Sequence, residues 1–150
     1  MRPDRRRFAK LLALMAVSGL IPAHLARAEA WNGAAFKAKS KEEFVSTLGG
    51  SGPEVSADVT IVVPEIAENG AAVPVAIVSS VANTESISIL VEKNPTVLAA
   101  QFVVPNGTLP EVQTRVKMAE SCDIYAVVKA AGKFYYAARP VKVTVGGCGG

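Results

Sequence analysis

The chain has 150 residues, with sixteen Lys and Arg against thirteen Asp and Glu, one histidine and two cysteines. The basic excess sits at the front: residues 1–28 hold six of the cations and one of the acids, so the remaining 122 residues carry ten against twelve, a formal charge of −2. That remainder has no histidine, since His24 lies in the front segment, which excludes Ser-His and Cys-His catalytic pairs, His-ligated metals and histidine proton relays.

Its sulfur atoms, on Met118, Cys122 and Cys148, are too few for a dedicated metal site, and no cofactor is expected. No basic patch with interleaved aromatics points to nucleic acid. No phosphate-cradling or dinucleotide fingerprint occurs, and Asp58, Glu65, Glu92 and Glu120 are scattered near strand ends as solvated charges.

The front segment reads as a twin-arginine export signal, with Arg5 and Arg6 as the pair, Phe8 two positions on and Lys10 closing the motif. Asp4 and Ala9 depart from the preferred residues. The apolar run Leu11 to Ile21 is too short to span a bilayer, and Ala26-Arg27-Ala28 is a small-x-small cleavage site. The expectation is a periplasmic protein, cut after Ala28 and free of the membrane thereafter. Four segments follow: a signal at 1–28, a helical segment and linker at 29–52, a β-sandwich at 53–145 and an arm at 146–150.

From Trp31 to Leu48 the pattern predicts helix. Ser40 and Glu43 form a capping-box pair, Phe44 and Leu48 share a face, Gly49 closes the end, and Asn32 caps an earlier turn containing Phe36. Gly49 to Pro53 then reads as a linker or sharp turn.

The rest is dense in strands: Val59 to Val63, Val73 to Ser79, Ile87 to Glu92, Val97 to Val104, Glu111 to Met118, Asp123 to Ala130, Lys133 to Ala138 and Val141 to Val145. Turn residues separate them, among them Pro64, Asn69-Gly70, Asn83, Asn94-Pro95, Asn106-Gly107 and Gly132. Short strands without intervening helices predict an all-β, immunoglobulin-like sandwich with one core, and argue against Rossmann or thioredoxin-like folds. The paired cysteines around a buried tryptophan of antibody domains are missing.

The last strand runs into Gly146, Gly147, Cys148, Gly149 and Gly150. A cysteine flanked on both sides by glycine pairs is a thiol on a flexible tether, and from Val145 it can stand roughly 10 Å off the folded body. Nothing beside it lowers its pKa, so it reads as a thiol acted upon by other proteins, with activation supplied by their pockets.

The ending Val143 to Gly150, read with Arg115-Val-Lys-Met118, Ala126-Val-Val-Lys129 and Gly132-Lys-Phe-Tyr135, resembles SoxY, the sulfur-carrier family of the thiosulfate-oxidising Sox system. The resemblance implies that Cys148 is the covalent attachment point and that the chain is not itself an enzyme. It also implies a SoxZ-like subunit in a heterodimer. Transient contacts would be made with a c-type cytochrome that loads thiosulfate, a hydrolase that releases sulfate and a sulfur dehydrogenase.

Cys122 departs from that pattern. Two cysteines in an oxidising compartment invite a bridge, which would lock the arm, while an unpaired cysteine packs as a small apolar residue. If the last strands form a hairpin across Ala131-Gly132, Cys122 lies at the arm's end of the sheet. A rival reading makes the chain an exported interaction domain dimerised by a Cys148 disulfide, and a third makes it a thiol oxidoreductase with Cys122 as resolving partner.

Overall fold

Alternation of apolar and polar side chains decides which way each strand faces, and the computed structural model, which describes residues 32–144, stacks those faces into two sheets and a helical cover. The strands are β1 (Glu54–Val55), β2 (Val59–Val62), β3 (Ile66–Ala67), β4 (Val73–Ser79), β5 (Thr84–Val91), β6 (Leu98–Val103), β7 (Glu111–Val116), β8 (Cys122–Ala130) and β9 (Lys133–Val143). One sheet has the order β1-β9-β8-β5-β6, with β3 also paired to β9; the other has the order β2-β4-β7. The architecture is an immunoglobulin-like β-sandwich with a short helix, α1 (Lys41–Thr47), preceded by a 3-10 turn at Ala35–Lys37.

β5 and β8 are buried almost without interruption because both faces of the larger sheet are covered. Ile87, Ile89 and Val91 of β5 and Ile124, Ala126 and Val128 of β8 point into the sandwich, against Val59, Ile61, Val75 and Ile77 of the smaller sheet. Leu90 and Val127 point the other way and meet Ala35, Ala38, Phe44 and Val45. Phe44 is fully buried there, a contribution of about 1.5–3 kcal/mol. Lys41 adds a cation–π contact, its Nζ 3.6 Å from the Tyr136 ring centroid and 5.1 Å from that of Tyr125.

The helical segment is shorter than predicted. Ser40 caps α1, its Oγ accepting from Glu43 N at 3.1 Å, but the Glu43 carboxylate reaches back to Lys39 N at 2.8 Å instead of to Ser40. Asn32 does cap the earlier turn, accepting from Ala35 N at 3.2 Å. Between them Ala38 turns extended, so the Trp31–Leu48 helix is two pieces in its described part.

β4 matches its expected bounds. Pro74 is tolerated in this central strand because β2 reaches back only to Ala76, leaving β4 unpaired on one side at Pro74. Two predicted strands, Lys133 to Ala138 and Val141 to Val145, are one strand, β9. Its even residues address the outer edge: Tyr136 O accepts from Ser56 N, and Lys142 N donates to Glu65 O. Pro140, also even, therefore spends its missing N–H on the gap between β1 and β3, where it breaks no ladder bond. β8 and β9 form the expected hairpin, with Ala131 and Gly132 both at positive φ, 48° and 75°, as a two-residue primed turn requires.

Candidate functional site

Cys148, its flanking Gly146, Gly147, Gly149 and Gly150, and the export pair Arg5 and Arg6 lie outside the described residues. The structure describes the base from which the Cys148 segment leaves. Val141 is buried in the sandwich, Lys142 is exposed, and Val143 packs on the same core. Three neighbours hold these residues. On the outer edge β3 pairs in parallel, with Lys142 N donating to Glu65 O at 2.9 Å and Thr144 N to Ala67 O at 3.1 Å. On the inner edge the Ser121 hydroxyl bonds both backbone groups of Val143.

The third neighbour is the turn at Asn69-Gly70. Asn69 Oδ1 accepts from Ala71 N at 2.9 Å, closing an Asx turn, and Gly70 O accepts from Met118 N at 2.7 Å. A Cβ on Gly70 would sit 2.7 Å from Met118 O and 2.8 Å from Val143 Cγ1. Only glycine lets the turn close on the end of β9.

Cys122 begins β8 directly opposite Val141, at the end of the hairpin where the chain leaves for residue 148. It is a free, half-buried thiol packed against the sandwich core. Burial pushes its pKa up and Glu92 adds to this, against an opposing backbone hydrogen bond from Lys93. A thiol held protonated in this way is a weak nucleophile at neutral pH. Among the described residues no three His, Cys, Asp or Glu side chains approach closely enough to hold a metal ion, and no helix is long and apolar enough to cross a membrane. Sequence reasoning passed over Ser121 and Gly70. Both come from turns whose importance lies in what they touch, and the Asn69-Gly70 turn signal was the only hint.

The family model for sulfur oxidation protein SoxY matches residues 45–148, ending on Cys148. The chain belongs to the SoxY family. A solved structure of the sulfur carrier protein SoxY from Chlorobium limicola f thiosulfatophilum is 38% identical, covers 67% of this chain and 93% of its own, and superposes with a TM-score of 0.59. The reeler domain of human F-spondin is 10% identical, with coverage of 63% and 95% and a TM-score of 0.40. No curated protein sequence matches the chain. Membership in the SoxY family places this chain in sulfur oxidation.

Proposed function

We propose that this SoxY-family chain is a covalent sulfur carrier in thiosulfate oxidation, with intermediates held on the Cys148 thiol while partner enzymes process them. The observation that carries the reading is the family match running through to Cys148, a cysteine whose neighbours on both sides are glycines. Loading joins the thiol to the outer sulfur of thiosulfate: one S–S bond forms, the thiol proton leaves, and two electrons pass to a c-type cytochrome. Water then cleaves the sulfane–sulfonate bond, releasing sulfate and leaving a persulfide. A sulfur dehydrogenase oxidises that outer sulfur with oxygen from water, withdrawing six electrons, and a second hydrolysis restores the thiol.

In this scheme the chain supplies reach, and its partners supply catalysis. Glycines matter because a narrow pocket with its reactive group at the floor rejects side chains along the approach. A SoxZ-like subunit completes the carrier as a heterodimer burying at least roughly 1,200 Å². The twin-arginine route exports folded cargo, so the pair crosses to the periplasm together on the signal carried by Arg5 and Arg6.

Two variants separate the nucleophile from the approach. Cys148→Ser abolishes thiosulfate conjugation while fold and partner binding survive. Valine at both Gly147 and Gly149 leaves Cys148 open to small thiol reagents but sharply lowers turnover by the Sox enzymes. Unchanged turnover in the double-valine protein would remove the threading argument.

A further inference from the structure

The carrier cycle leaves Cys122 unused, yet the fold sets this thiol beside the point where the chain departs for Cys148. Cys122 is the ladder partner of Val141, and both lie on the sandwich side of the sheet. Its neighbour Ser121 holds Val143 by two hydrogen bonds, which keeps the last residues of β9 against the start of β8. The Cys122 side chain is half-buried, not sealed in the core. Burial raises its pKa; the backbone N–H of Lys93, hydrogen-bonded to the sulfur, works the other way and stabilises a thiolate when one forms.

We propose that Cys122 is a second covalent site: it attacks Cys148 when that residue carries a thiosulfonate, closing an intramolecular Cys122–Cys148 disulfide that discharges the arm. The inference rests on the carrier reading and adds an off state for a loaded arm that meets no enzyme. The step balances without an outside oxidant. The Cys122 thiolate, its proton given to water, attacks Cys148 Sγ; the bond from Sγ to the sulfane sulfur breaks, and thiosulfate leaves with the electron pair. The oxidising equivalents stored at loading end in the new disulfide, which a thiol reductant reopens. Reach permits the bond. As ladder partners, Val141 and Cys122 stand about 5 Å apart, and Thr144 is three residues further along β9, about 10 Å, so it lies roughly 11 Å from Cys122. The four residues from Thr144 to Cys148 span up to about 13–14 Å, and a disulfide sets its Cα atoms about 5.5–6 Å apart. The segment therefore has length to spare and must double back, which Gly146 and Gly147 permit. A tether this short gives an effective concentration on the order of millimolar, which offsets a thiolate fraction too small to serve a reagent in solution. Partner enzymes set the choice: an arm inside an enzyme pocket is beyond the reach of Cys122, and an idle arm is within it.

The test uses chemical loading, which needs no Sox enzyme. In the full chain the Cys148 thiolate attacks a central sulfur of tetrathionate; the new S–S bond forms as the central S–S bond breaks, and thiosulfate leaves with the electron pair. Excess reagent is removed at once, and intact mass and released thiosulfate are then followed. The parent loses the adduct at least about tenfold faster than Cys122→Ser does, at a rate that dilution leaves unchanged. One further thiosulfate appears per chain, and the product is two hydrogens lighter than the reduced chain. Digestion without reductant yields a peptide joining Cys122 to Cys148. Cys122→Ala, which keeps a small apolar group against the core, retains the adduct as Cys122→Ser does, so the comparison does not hang on one variant. An adduct equally long-lived in the parent and both variants would overturn the proposal. So would loss that slows on dilution and joins Cys148 to Cys148 between chains, or a return to the reduced mass with no cross-link. None of these results bears on whether cells load Cys148, so failure of self-closure and failure of the carrier reading are separable.

Discussion

Ser121 and Val143 exchange two hydrogen bonds: the Val143 N–H donates to Ser121 Oγ at 2.9 Å, and the Ser121 hydroxyl donates to the Val143 carbonyl at 3.3 Å. Cys122 opposite Val141 is the last backbone pair of the β8–β9 ladder, so this one side chain supplies the next rung. It latches the strand just before the chain continues to Cys148.

Ser121→Ala removes both bonds and leaves an exposed site that water can fill. The expected cost is about 1 kcal/mol in chemical denaturation, with amide exchange at Val143 rising more than exchange at Ile124 in mid-strand. Equal acceleration at both amides would show that Ser121 acts on the whole sheet and not on the base of the arm.

Gly70→Ala forces a methyl group against a backbone carbonyl and the Val143 side chain. The Met118 carbonyl shares its peptide plane with Ala119 N, which donates to Asn94 Oδ1 at 3.0 Å, so it cannot swing aside without losing that bond, and the substitution costs about 1–3 kcal/mol. Gly52, which has open space around it, is the control: Gly52→Ala leaves the denaturation midpoint within about 0.5 kcal/mol of the parent.

Cys122 makes stability depend on alkaline pH. Burial raises its pKa in the folded state, so the folded chain holds the thiol proton more tightly than the unfolded chain does. That contribution is fully present below the ordinary thiol pKa and is lost as pH rises through the raised folded value. Cys122→Ser removes the dependence: from neutral pH to pH 10 the parent loses more stability than the variant. In protein carrying Cys148→Ser, iodoacetamide at pH 7 leaves Cys122 largely unmodified over the time that labels an unfolded control. Rapid labelling of the folded chain would show that burial does not protect the thiol.

How much of this was legible in the sequence depended on whether a feature was local. β4 and β8 could be read because alternation and continuous burial are written in consecutive residues, and the β8–β9 turn because Ala131-Gly132 interrupts two apolar runs. β9 was divided because Arg139 and Pro140 break its alternation; the exposed Arg139 and the unpaired edge at Pro140 are consequences of what lies beside them in space. β1 and β3 were missed altogether. Each is two residues long, and each is a strand only because it pairs in parallel with β9. The same holds for the site. Cys148 announces itself by its glycines, but Ser121 and Gly70 each meet Val143 across about 20 to 70 positions of chain.

The central claim is that sulfur travels on Cys148, and intact-mass measurement of the chain purified from cells oxidising thiosulfate tests it most directly. The account predicts protein bearing thiosulfonate or persulfide mass on the peptide containing Cys148, absent from cells grown without thiosulfate and absent from Cys148→Ser. Unmodified protein from actively oxidising cells, or an adduct located on Cys122, would contradict it.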